Sequence, residues 1–77
     1  IMKITLKFLG MDSWDRPVYK DETGKLWKDI NPRRQYAPEL CTSNGNNIDG
    51  EPDVPMSDMK KYANAEIQFI PERILWN

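Results

Sequence analysis

The chain has no histidine and a single cysteine, Cys41, among its 77 residues. Without histidine it lacks the commonest general base near neutral pH and the commonest transition-metal ligand. Ser-His-Asp and Cys-His triads cannot be assembled from it. One cysteine forms no internal disulfide and no multi-cysteine zinc site, and it fits a reducing, cytoplasmic setting. No apolar run approaches the roughly 20 residues that span a bilayer, so no membrane partner is expected. The start has neither a long apolar stretch nor a small-residue cleavage site, so no signal peptide is expected. Ile1 ahead of Met2 reads as a cloning remnant or a fragment boundary, which leaves the native start open. An excess of one charge is also missing. Eleven basic residues face 12 acidic ones, interspersed, for a net charge of −1 and a pI near 5.3. That is not the basic footprint of a dedicated nucleic-acid binder, and no acidic tail or basic arm appears.

What is present is a small β-patterned chain rich in tryptophan. Residues 1–77 make one domain, with no internal repeat and no linker. A chain of this size buries only about 60% of its unfolded surface, so nearly every large apolar side chain is needed inside. Met2 to Leu9 alternates, with Ile4, Leu6 and Phe8 on one face and Lys3, Thr5 and Lys7 on the other, the mark of a half-buried strand. The stretch Arg16 to Ile30 reads as a hairpin. Asp21 suits the first position of a type I turn and Gly24 the left-handed position that follows it. That spacing sets Asp21 against Lys25, Lys20 against Leu26 and Tyr19 against Trp27. Asn31-Pro32 ends the hairpin, and Arg33 to Pro38 is a surface excursion. Glu39 to Ser43 is a candidate short strand, Asn44 to Asn47 a turn, and Asp49 to Pro55 irregular. Ser57 can cap one short helical turn through Lys61. Glu66 to Ile70 is a strand that Pro71 interrupts, with Arg73 to Trp76 resuming it.

The expected fold is therefore mostly β: a small curled antiparallel sheet or half-barrel of SH3-like size, with about five short strands and at most one short helical turn. The hairpin and the last strand carry apolar groups on both faces. Either the sheet curls on itself or loops cover its back, with Trp14 and the Tyr36 loop as expected covers.

Each chemical reading has a plainer rival. The loop Asn44 to Asp53 is rich in oxygens, but it lacks the early acid and late glutamate of an EF-hand and carries Pro52. It reads as a solvated turn. Asp12, Asp15, Asp29, Glu51 and Asp53 could pair for hydrolysis, but their spacing is not diagnostic. Cys41 has no histidine to activate it and reads as a small core thiol. Neither catalysis nor a cofactor or metal is expected. Arg33-Arg34 beside Tyr36, and Lys60-Lys61 beside Tyr62, could serve a single-stranded nucleic acid, against the balanced charge. The three tryptophans are the stronger signal. Core packing competes here with an aromatic groove of the kind that grips proline-rich peptides.

The runs Asp12 to Lys20 and Gly24 to Asp29, with Asp49-Gly50-Glu51-Pro52-Asp53 and Phe69 to Ile74, resemble a small bacterial domain family of unknown function. The resemblance covers most of the chain. It implies a compact accessory domain from a mobile-element or gut-bacterial context, and it brings no activity and no functional residue.

These readings converge on a non-catalytic domain acting as a protein-interaction or accessory module. A nucleic-acid-associated small β-barrel is the alternative, and a purely structural accessory domain the second. The hairpin pattern leaves open which face is the core. The expectation taken forward puts Val18, Leu26 and Ile30 inside with Ile4, Leu6, Phe8, Ile67 and Phe69. Tyr19 and Trp27 then form a partly exposed patch near Trp14, so Trp14, Tyr19 and Trp27 are the candidate partner contacts.

Overall fold

The alternation that opens the chain becomes its longest strand, β1 (Lys3–Met11), with Ile4 and Leu6 buried and Lys3 and Lys7 exposed. The computed structural model describes residues 2–76. The hairpin follows as β2 (Pro17–Lys20) and β3 (Leu26–Asp29), in the register read from the turn: Tyr19 opposite Trp27 and Lys20 opposite Leu26. Gly24 sits at φ 90°, where a side chain would be strained. Asp21 holds the turn through its carboxylate, which accepts the amides of Thr23 and Lys25 at 2.8 and 3.0 Å.

The chain continues as a meander through β4 (Leu40–Ser43) and β5 (Pro52–Pro55), each antiparallel to the strand before it. It then crosses the sheet in two single 3-10 turns, Met56–Asp58 and Lys60–Tyr62, and returns as β6 (Glu66–Ile70) beside β1. The result is a six-stranded sheet in the order β5-β4-β3-β2-β1-β6. Because the crossover carries the chain to the far side of β1, β6 arrives parallel to it, and the expected antiparallel sheet is mixed instead. Two further local expectations change. Ser57 caps nothing, and the expected single helical turn is replaced by the two turns of the crossover and a third at Asn44–Asn46. The stretch expected to be irregular ends in an edge strand, where Pro52 and Pro55 are tolerated because an edge can spare amide donors.

The sheet is open and bent. A flat sheet would hold β4 and β6 roughly 19 Å apart, at about 4.8 Å per strand. Leu40 of β4 and Ile67 of β6 nevertheless line the same groove. The concave face holds the core of Ile4, Leu6, Tyr19, Trp27, Leu40 and Met56, flanked by Phe8, Met59, Tyr62, Ile67 and Phe69. Its aromatic rings meet edge to face, Tyr19 on Phe69 at 4.9 Å and Trp27 on Tyr62 at 5.2 Å between centroids.

This reverses the expected hairpin faces. Tyr19 and Trp27 are both 0% exposed. The face with Val18 and Leu26 is buried too, by a different device. The loop from Asn44 to Glu51 folds over the back of the sheet, with the Asn46 side chain accepting the Leu26 amide and Asn44 N–H bonded to the Glu51 carbonyl. A Cβ on Gly50 would stand 2.2 Å from the Asn44 carbonyl oxygen, so this closure needs glycine. The expected covers, Trp14 and Tyr36, are exposed instead. Residues 71–76 do not resume a strand. They run as a tail across the end of the core, where Ile74 N–H donates to the Tyr19 hydroxyl and Arg73 reaches Asp29.

Candidate functional site

Of the three residues expected to meet a partner, two have no surface to offer. The Tyr19 hydroxyl is occupied by Ile74 N–H at 2.9 Å, and the Trp27 indole N–H donates to the Asp21 carboxylate at 3.0 Å. Both polar ends are satisfied within the fold, as buried tyrosine and tryptophan require. Trp14 is different: it is 70% exposed.

Its exposure follows from the turn that carries it. Asp12 is buried, and its Oδ1 accepts the amides of Trp14 and Arg16 at 2.9 and 2.8 Å. Asp15 takes a left-handed conformation, φ 59°, which aspartate tolerates better than most residues. The remaining Asp12 oxygen is gripped by Arg16 Nε at 2.8 Å and Lys28 Nζ at 2.6 Å. Lys28, its side chain wholly buried, donates a second bond to the Ile48 carbonyl at 2.7 Å. Ser13 N–H donates to Asp49 of the same loop. The back-face loop and the Trp14 turn are thus locked through one ion pair, and the indole is held out at the tip. Burial alone would raise the Asp12 pKa. The ammonium of Lys28 and the donors of Arg16 and Trp14 outweigh it and lower the carboxyl from 3.8 to about 2.

The tail brings a second tryptophan to the same end. Trp76 Nε1 donates to the carbonyl of Asp15, the residue after Trp14, at 2.6 Å, and Trp76 N–H to that of Pro32 at 2.8 Å. The indole borders a depression of about 660 Å³ with Arg33, Arg34 and Gln35. These three, with Tyr36, form an exposed turn closed by Tyr36 N–H on the Arg33 carbonyl, and Arg73 holds the Tyr36 carbonyl from below at 2.7 Å. Arg16 and Arg73 are taken up by Asp12 and Asp29. Arg33 and Arg34 make no ion pair among the described residues, so their guanidinium groups face solvent beside exposed aromatics. The exposed Asp15 is the acid nearest in sequence to Trp14. Sequence reading placed Trp14 and the Arg33-Arg34 pair in separate hypotheses. Trp76 lies 61 residues from Asp15, and no local pattern signals that contact.

A second depression, of about 680 Å³, opens between the crossover and the sheet and is walled by Leu40, Met56, Tyr62, Ala65 and Ile67. Cys41 also borders it. Burial, with the carboxylates of Glu39, Asp58 and Asp29 at longer range, pushes the Cys41 pKa up, so it stays a thiol and a weak nucleophile. Among the described residues, no three cysteine or carboxylate side chains converge as a metal site would require. No helix there is long and apolar enough to cross a membrane. In comparisons with known proteins, the chain matches no family model, no curated protein and no solved structure.

Proposed function

We propose that this domain is a non-catalytic protein-interaction module of the cytoplasm, and that it meets its partner at the end bearing Trp14, Trp76, Tyr36, Arg33 and Arg34. The observation that carries this reading is Trp14, held out into solvent by a buried ion pair in a chain that can spare few aromatics from its core. Tryptophan, tyrosine and arginine are the residue types in which interface hot spots are enriched. Each indole brings large contact area at little entropic cost, and the guanidinium groups, which make no ion pair among the described residues, favour a partner segment that carries carboxylates. The groove beside Ile67 fits the role less well, since its apolar walls are the rim of the core.

The test is a set of four parallel captures from a native lysate, with tagged wild type and three variants. Proteins retained by the wild type should be lost with Trp14→Ser and with Arg33→Ala/Arg34→Ala, and kept with Lys60→Ala/Lys61→Ala. Trp14 fluorescence should shift to the blue when the recovered partner is added. If the Trp14 variant keeps every partner, the surface is wrong. If the arginine-dependent ligand is single-stranded nucleic acid, its binding falls steeply with salt and the nucleic-acid alternative replaces this one. If no ligand depends on this end, the domain is a structural accessory.

A further inference from the structure

The two edges of the sheet are built differently. β5 carries Pro52 and Pro55, and the Val54 amide is bonded to the Thr42 hydroxyl. Proline on an edge strand is a standard guard against pairing with another chain. β6 has no proline, no lysine and no bulge, and among the described residues nothing pairs with its outer side. Its backbone direction follows from one bond. Glu66 N–H donates to the Met2 carbonyl on the β1 side, so Glu66, Gln68 and Ile70 turn their amides toward β1. By alternation, the N–H and C=O groups of Ile67 and Phe69 point away from the sheet. The side chains of these two residues are half-buried at the rim of the core.

We infer that β6 is a self-pairing edge, joining two copies of this chain through an antiparallel β6–β6 contact centred on Gln68. The strand is self-complementary in that register. Ile67 faces Phe69 of the second copy, and Phe69 faces Ile67 of the second copy. These are the residues whose amides are free, so each facing pair exchanges two hydrogen bonds, as antiparallel hydrogen-bonded pairs do. Their side chains lie on the concave side, so the half-exposed rim of each core is covered by the other. On the convex side Glu66 faces Ile70 of the second copy, and no like charges meet: Lys3 and Lys7 of β1 lie one strand back, level with Glu66 and Ile70. A two-fold axis between the facing Gln68 residues closes the contact, which makes a dimer and not a fibre. This edge shares no residue with the Trp14 end, so one surface can fail without the other.

The experiment is sedimentation equilibrium of the full chain over a wide concentration range, with three variants. The wild type should show a reversible monomer–dimer equilibrium. Gln68→Lys sets like charges face to face at the axis and should remove the dimer. Because Gln68 is exposed, its melting temperature at low concentration should not change. Gln68→Cys should give a disulfide-linked dimer on mild oxidation, because facing residues of a non-hydrogen-bonded pair lie about 4.5 Å apart between Cα atoms, within disulfide reach. Glu66→Cys should not, as the two copies of residue 66 would lie roughly 13 Å apart. A wild type that stays monomeric at the highest attainable concentration overturns the inference. So does a Gln68→Lys protein that dimerises like the wild type, or equal crosslinking at both cysteine positions. Trp14→Ser should leave the dimer intact, which separates this surface from the partner site.

Discussion

Removing the charge of Asp12 should cost far more than removing its partner Lys28. Asp12→Asn keeps a carbonyl oxygen for the Trp14 and Arg16 amides, so the turn retains its shape. It leaves the wholly buried Lys28 ammonium with one carbonyl, that of Ile48, and no counter-charge. Stranding one member of a buried pair typically costs about 3–5 kcal/mol. A domain of this size has only roughly 4–12 kcal/mol in total, so Asp12→Asn should remove from about a quarter to all of its stability. Lys28→Met is the contrasting change. Its stem still packs, and Asp12 keeps Arg16 and two backbone donors. The remaining loss is the bond to the Ile48 carbonyl, about 1–3 kcal/mol. The double variant should resemble Lys28→Met alone, because the stranded ammonium is gone. Urea denaturation followed by tryptophan fluorescence measures all four corners of the cycle. An Asp12→Asn protein within about 1 kcal/mol of wild type, or a Lys28→Met protein less stable than Asp12→Asn, would refute the buried-pair assignment.

The same carboxylate predicts an acid transition. Its folded pKa of about 2 lies below the ordinary 3.8, so its contribution is present above pH 3.8 and lost as pH falls through about 2, worth roughly 2 kcal/mol. Asp21, also lowered, adds in the same sense, and a pH series of urea midpoints that stays flat between pH 4 and 2 would contradict both. Trp27→Ala should cost roughly 3–5 kcal/mol through the cavity it leaves, whereas Trp14→Ser should change stability by less than about 0.5 kcal/mol. Comparable melting temperatures for the two variants would contradict the assigned faces. Cys41 should react with a thiol reagent at the rate of unfolding and not at that of a free thiol, since it is buried and held protonated. A fast reaction in native buffer would show it to be accessible.

Much of the local structure was legible because its causes are local. The Asp21–Gly24 spacing dictates a turn, and a turn dictates the register of its two strands. The alternation of Lys3 to Phe8 states which side is wet. The hairpin faces were misread because Val18-Tyr19 and Leu26-Trp27 carry apolar groups on both sides, and alternation cannot rank two apolar faces. The aromatic face won because β1 and β6 place Leu6, Phe8 and Phe69 beside it. Its rival is buried by a loop of asparagines, glycines and acids whose composition signals only a turn. Lys28 and Asp12 look like solvated charges in sequence, and only the fold over the sheet's back makes them a buried pair.

Read alone, the chain dictates what cannot be built and what must form nearby: no histidine-based triad, one thiol, one turn register, and short strands punctuated by proline and glycine. These follow from side-chain chemistry and from backbone restrictions that act over a few residues. Everything that depends on distant segments meeting was left to the folded molecule. It set the last strand parallel to the first and put two of three aromatic candidates in the core. It also brought Trp76 to the carbonyl of Asp15, the residue after Trp14, and beside Arg33 and Arg34. Such contacts are selected by how the whole chain buries its apolar area, and no local pattern encodes that choice.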